Sequence, residues 1–372
     1  MNFAKLNSDA VFGRSDGKIL WQPRIICWYH DKIFSGEPLP EKYAGLSIYD
    51  IYRKLGCSAR LYEFGECFER QEDYRVQQTF QENPDGKITH TIETPAGCQT
   101  EILQKSKTSQ WPKHLKREVE TEKELETAAW REENCSWKWN GEKYNKLIEE
   151  IGDLGAPAVI MPRMNIQSLY LEKMGIENGI FAMQDWPETV DRYFNALEES
   201  HSRLIELIND SPVNLVNFGE NIHSDSLPPY LFEKYHLPAC RRRCDKLHSA
   251  GKFVYSHWDG NCRPLLKYAR QTGLDGIEAI TPTPQGDVTL EEIKEALGDD
   301  MYLIDGIPAV FFDETYSEKT LTDCTERIIE LFAPKLILGI SDEISSTGDI
   351  ERINLITDIV NSYNSQFETV NF

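Results

Sequence analysis

The chain has 372 residues, of which 40% are apolar, and carries 61 Asp and Glu against 40 Lys and Arg, a formal net charge of −21. That length suits one large α/β barrel or two ordinary domains, with enough apolar residues for a sizeable core. An acidic surface repels phosphate backbones and anionic lipid, so nucleic acid and membrane surfaces are excluded as expected partners. No apolar run approaches the ~20 residues of a membrane span.

The N-terminus, "MNFAKLNSDAVFGRSDGK", has no apolar core of a secretory signal. Nine cysteines, scattered without paired spacing, read as reduced thiols, and a cytoplasmic monomer or homodimer is expected. In chain order, "RIICWYH" (24–30) and "SARLYEF" (58–64) are the first candidate strands. Residues 65–150 then break the rhythm. "DYRVQQTFQENPDGKITHTIETPAGCQTEILQKS" alternates with period two around "NPDG", a hairpin signal, and "ETEKELETAAWREE" follows as a charged helix. This predicts an inserted hairpin-plus-helix cap over one end of the fold.

From 157 onward strands and helices alternate. The strands are "PAVIMP" (157–162), "VNLVNFGE" (213–220), "KFVYSH" (252–257), "DGIEAI" (275–280), "MYLIDG" (301–306) and "KLILGI" (335–340). Each is short and nearly continuous in apolar residues, as a strand covered on both faces must be. Helical periodicity fills 187–211, 228–251, 261–273, 289–300 and 320–334. In the first of these Val190, Phe194, Leu197, Leu204 and Leu207 form the apolar stripe and Pro187 suits a first turn. Eight strands in βαβ alternation predict one (β/α)8 TIM barrel over residues 1–372.

In such a barrel the site lies at the C-terminal ends of the strands. Those ends carry His30 and Asp31, Glu63, Arg163, Glu220 with His223, His257 with Asp259, Glu278, Asp305, and Asp342 with Glu343. Arg163 and His30, at their strand exits, with Tyr29, could anchor a substrate carboxylate, although His30 fits a surface histidine equally well. Glu278 or Asp305 could act as acid or base. The two cysteines of "CRRRC" (240–244) read as structural, and "WKW" (137–139) as aromatic packing or a stacking surface. Gly286 and Gly306 lack the spacing of a phosphate loop, so no nucleotide is expected.

From about residue 155 to the end the chain resembles the uroporphyrinogen decarboxylase superfamily, which includes corrinoid-dependent methyltransferases. The resemblance rests on "GAPAVI", "DWPETVDRYF", a strand ending at "NFGEN", "KFVYSHWDGN…LLKYARQTGLDGIEAI", "GDVTLEEIKEALGDDMYLIDGI" and "LILGISDEI…IERI". Upstream, "TIETPAGC" and "WPKHLKREVETEKELE" look like the hairpin and helix of the methyltransferase-like branch. Decarboxylases of the family have an Arg-rich N-terminal stretch that grips propionates and an "FSD" motif. Here "WQPRIICWYHDKIF" offers Arg24 alone, and "FSD" is absent. A decarboxylase acting on a tetrapyrrole, using Arg24 and an acid such as Asp31, is therefore the second reading, and a non-catalytic binding barrel a third.

The methyltransferase branch binds zinc through His-x-Cys and a distant Cys. The resemblance places Asp259 and Asp342 at the two cysteine positions, giving His257-x-Asp259…Asp342. Related O-demethylating members use Glu and His, which makes Glu220 the matching glutamate. The resemblance thus implies Zn2+, or another divalent ion, on Glu220, His257, Asp259 and Asp342, a harder site suited to polarising a methylated oxygen or nitrogen. The alternative is that His257 caps a strand and bonds to Asp259. The chain has no corrinoid-binding Asp-x-His-x-x-Gly motif, so the resemblance implies a corrinoid carried by a partner protein as methyl acceptor.

Overall fold

The computed structural model describes residues 2–107 and 111–367. Thirteen strands lie in this described part: β1 (Leu20–Trp21), β2 (Phe68–Gln71), β3 (Gln77–Glu82), β4 (Lys87–Thr94), β5 (Gly97–Gln104), β6 (Lys113–Lys116), β7 (Ser136–Trp139), β8 (Ala158–Met161), β9 (Leu215–Ile222), β10 (Phe253–Trp258), β11 (Gly276–Glu278), β12 (Tyr302–Pro308) and β13 (Leu336–Ser341). β1 and β8 to β13 form one curled, wholly parallel sheet in the order β1-β13-β12-β11-β10-β9-β8. Residues 58–61 run between its two edges. Ser58 N donates to Trp21 O at 3.0 Å, Ala59 N to Leu154 O at 3.1 Å, and Ala158 N to Leu61 O at 3.1 Å. The architecture is α/β and TIM-barrel-like.

Strand alternation sorts the side chains into two layers. Leu20, Ala158, Leu215, Phe253, Tyr255, Tyr302, Ile304 and Ile337 face inward as one buried cluster. Val159, Val216, Val254, Ile277, Leu303 and Leu338 face outward into the larger core under the helices. Helix α1 (Phe3–Val11) closes the N-terminal end: Val11 joins the inner cluster, and Tyr302 donates its hydroxyl hydrogen to Ala10 O at 2.8 Å. Apolar packing thus fills one end of the barrel and leaves the C-terminal end for polar groups.

The six strands expected from 157 onward are present, and so are the helices between them. The hairpin around "NPDG" is β3–β4, extended by β5 and β6 into a four-stranded antiparallel sheet. The charged helix is Glu122–Asn134, started by a Thr121–Glu124 capping box. Two expected strands are corrected. Of residues 24–30, Ile26 onward belongs to helix α2 (Ile26–Ser35), which ends at Gly36 in the left-handed region, φ 73°. Its first N–H groups, on Ile26 and Cys27, donate to the Glu343 carboxylate at 3.0 and 3.3 Å, a charge that favours a helix N-terminus. The first strand is β1, just upstream. Within 58–64 the chain is extended to Leu61 and then turns into a 3₁₀ helix, Tyr62–Cys67.

Candidate active site

A cavity of about 590 Å³ opens at the C-terminal ends of the parallel strands, lined among others by Tyr62, Arg163, Asn217, His257, Glu278 and Asp342. Backbone strain gathers at the same end. Asn165, Asn221, Ala279, Asp305 and Asp342 all have left-handed φ between 34° and 80°, in or just after β8, β9, β11, β12 and β13. Such conformations cost free energy for non-glycine residues and persist where surrounding contacts impose them.

The wall of the cavity is organised around the Glu278 carboxylate, which is 1% exposed. Oε1 accepts from the Arg60 guanidinium and, at 2.6 Å, from the Tyr62 hydroxyl. Oε2 accepts from Asn217 Nδ2 at 2.7 Å and pairs with His257 Nδ1 at 2.9 Å. The β10–β11 register sets the last pair, because His257 lies directly opposite Glu278. Arg60 also forks onto Asp305, at 2.7 Å through Nη2 and 3.1 Å through Nη1, and donates Nε–H to Gln22 Oε1 at 3.1 Å. Burial opposes the Glu278 charge, but the Arg60 charge and the His257 hydrogen bond overcome it and hold this carboxyl well below the usual range. Burial, reinforced by Glu278, pushes Tyr62 up, so it stays a hydroxyl donor. Burial pushes Asp305 up against the pull of Arg60.

The imidazole of His257 is therefore fixed in plane by an ionised carboxylate at Nδ1. No hydrogen bond occupies Nε2 among the described residues, and the side chain borders the cavity. A carboxylate-held imidazole with one nitrogen toward a pocket is the arrangement of a general acid or base.

The nine residues expected at the site divide. His257, Glu278, Asp342 and Arg163 border the cavity. Asp305 is fully buried and holds Arg60 rather than meeting the cavity. Tyr29 and His30 lie on α2 and are not among the cavity residues; the Tyr29 hydroxyl donates to Leu46 O at 3.3 Å. Glu220 is turned away. Asn217, Gly219 and Asn221 border the cavity, so strand alternation puts Glu220 on the helix side of β9, where its carboxyl accepts from Met164 N at 3.1 Å. Asp259 accepts from Asn221 Nδ2 at 3.4 Å, and His257 bonds to Glu278 rather than to Asp259.

The expected metal set is corrected accordingly. Among the described residues no three His, Cys, Asp or Glu side chains stand together where they could hold a metal ion. Glu220 occupies the far face of its strand, and Glu278 takes the Nδ1 of His257. These donors do not fit the implied zinc. Of the two residues named for the decarboxylase reading, Arg24 borders the cavity with its Nε–H on Glu343 at 3.3 Å, and Asp31 lies on α2.

Arg60, Tyr62 and Asn217 were not expected at the site. Their signal is a polar residue inside a β-forming run, Arg60 and Tyr62 in "SARLYEF" and Asn217 in "VNLVNFGE". A buried inner face has no room for an arginine without acids to meet it.

The α/β, TIM-barrel-like fold is consistent with the uroporphyrinogen decarboxylase family. The sequence profile of that family, "Uroporphyrinogen decarboxylase (URO-D)", matches residues 145–363, and the chain belongs to it. No curated protein sequence matches the chain. Solved structures with a similar fold include a methyltransferase from Methanosarcina mazei, 10% identical, with a TM-score of 0.59 over 97% of this chain and 99% of that one. Among the described residues no helix is long and apolar enough to cross a membrane, and the nine cysteines carry free thiols.

Proposed function

We propose that the chain is a cytoplasmic methyltransferase that takes a methyl group from a small O- or N-methylated compound and passes it to the corrinoid of a separate protein. His257 supplies the electrophilic assistance that the resemblance gave to a metal. The observation that carries this reading is the His257–Glu278 pair on the cavity wall, 2.9 Å between Nδ1 and Oε2. The methyltransferase neighbour of like fold agrees with it.

In this mechanism the substrate lies in the cavity with its methylated heteroatom against His257 Nε2. As the carbon–heteroatom bond breaks, its electron pair stays on the heteroatom while the methyl carbon bonds to the acceptor, a second substrate. The proton on Nε2 moves to the heteroatom, so the demethylated product leaves neutral. Glu278, ionised and itself held by Arg60, Tyr62 and Asn217, keeps the imidazole in place with Nδ1 engaged and Nε2 left for the substrate. Proton transfer of this kind is worth about 10²–10⁴ in rate. Arg163, on the cavity rim, orients the polar end of the substrate. The 65–150 segment covers this end of the barrel, a role supported by Trp111 on the cavity wall.

The test uses free cob(I)alamin as acceptor and a panel of methyl ethers and methylamines, followed by the cobalt spectrum. Methyl transfer with at least one donor, lost about 10²–10⁴-fold in His257→Ala, supports the proposal. No transfer with any donor, together with CO2 release from a carboxylated tetrapyrrole, overturns it in favour of the decarboxylase.

A further inference from the structure

Behind β9, on the side away from the cavity, lies a second buried polar group that the mechanism above does not use. Glu220 is fully buried, Arg243 2% exposed, and His201 and His236 each 1% exposed. Arg243 Nη2 donates to Glu198 Oε1 at 2.5 Å and to His201 Nδ1 at 2.7 Å, which requires His201 to be neutral with its hydrogen on Nε2. Packing alone does not account for Glu220, because a leucine would fill the space without the cost of burying a carboxyl.

The group makes its contacts to one short piece of chain. Glu220 accepts from Met164 N at 3.1 Å through Oε1 and 3.4 Å through Oε2. Arg243 Nη1 donates to Pro162 O at 3.5 Å. Asn165 Nδ2 donates to Tyr235 O at 3.0 Å. The residue between these anchors is Arg163, which reaches round to the cavity, where its Nη2 donates to Asn221 Oδ1 at 2.9 Å. Asn221 and Asn165 hold left-handed φ of 53° and 34°, so both ends of this bridge are conformations that their contacts impose.

We infer that Glu220 and Arg243 are positioning residues, fixing from behind the sheet the turn Pro162–Asn165 that delivers Arg163 to the cavity. Glu220 supplies an acceptor at a set depth, and Arg243, anchored by Glu198 and His201, supplies a donor. Together they hold the two peptide groups that flank Arg163. The substrate end of this inference rests on the methyl-transfer reading; the placement of Arg163 does not.

The experiment compares Glu220→Gln and Glu220→Leu by crystal structure and by methyl-transfer kinetics with the donor that the wild-type protein accepts. Gln keeps an acceptor for Met164 N, so E220Q retains the Arg163–Asn221 bond and a KM within about twofold. Leucine removes the acceptor: the turn shifts, the Arg163–Asn221 bond is lost, and KM rises about tenfold with kcat within about threefold, the split expected when a binding contact alone is lost. Where E220L does not fold, Arg243→Lys serves, with the same displacement expected because a single ammonium cannot reach Glu198, His201 and Pro162 together. Arg163 unmoved in a folded E220L or R243K overturns the inference. Arg163 displaced in a protein that transfers no methyl group upholds the placement and removes the methyl-transfer reading instead.

Discussion

Arg60 stands between two acids: its Nη2 reaches Asp305 Oδ1 at 2.7 Å, and its Nη1 bonds Glu278, all three side chains being at most 5% exposed. The guanidinium hydrogen-bonds both carboxylates inside the barrel, with the Arg24 charge acting on them as well, and so leaves Glu278 ionised for His257. Replacing Arg60 by Met strands both acids in a low-dielectric interior. Removing one partner of a buried ion pair costs about 3–5 kcal/mol, so urea unfolding of R60M is expected to show a loss of that order. A change below about 1 kcal/mol would mean that the acids take up protons at little cost.

Gly339 on β13 makes the Asp305 position possible. A Cβ there would lie 2.2 Å from Asp305 Oδ1 and 2.9 Å from Gln22 O, distances that no rotamer change of a methyl group relieves. Gly339→Ala therefore displaces the Asp305 carboxylate and, through Arg60, loosens Glu278. Overpacking of this kind costs about 1–3 kcal/mol. The expected result is a lower Tm together with reduced methyl transfer, although residue 339 does not border the cavity.

Glu220 gives stability a pH dependence of definite sign. Burial pushes its carboxyl up to about 8, against the pull of Arg243 and the Met164 hydrogen bond. In the unfolded chain the same group ionises near the ordinary glutamate value of about 4.3. Between these pH values the folded state holds a proton that the unfolded state has released, so stability falls as pH rises through the window and levels off above about 8. Glu220→Gln cannot ionise. Its Tm is expected to match wild type at pH 4 and to exceed it at pH 8; equal Tm values at pH 8 would count against a protonated Glu220.

The thiols report on packing. Cys98 is exposed, Cys27 and Cys324 are half-buried, and the other six cysteines are buried. Burial pushes Cys27 and Cys324 up to about 12, which keeps them protonated and slow, since the thiolate is the nucleophile. Ellman's reagent at pH 7.5 is expected to titrate one thiol per chain quickly and the remaining eight after unfolding. Three or more fast thiols would contradict this packing.

The barrel strands from 157 onward were legible because burial on both faces writes a continuous apolar run, and Gly, Pro and polar turns punctuate it. The stretch 24–30 was not, because "IICWY" has β-forming residues and the cause of its helix lies elsewhere: Glu343, more than 300 residues on in the chain, receives its first N–H groups. Among site residues, His257 and Glu278 could be seen as polar ends of apolar strands, but that they pair with each other depends on the β10–β11 register, which no local pattern carries. Glu220 was misplaced by the same limitation. It lies within β9, which runs on to Ile222, and a one-residue difference in strand phase decides whether a side chain meets the cavity or the helices. Arg60 was hidden because a single arginine in a short strand looks like an edge residue until its two acids, 218 and 245 residues away, are brought to it.

In the proposed mechanism His257 gives a proton to the departing heteroatom. This step is tested most directly by comparing wild type with His257→Ala on a series of aryl methyl ethers whose phenols span a range of pKa, with cob(I)alamin as acceptor. A proton donor matters most when the leaving oxygen is most basic. The rate ratio of wild type to H257A should therefore grow from near unity for the most acidic phenol to about 10²–10⁴ for the least acidic. A ratio that stays constant across the series would show that His257 contributes nothing to proton delivery and would contradict the account.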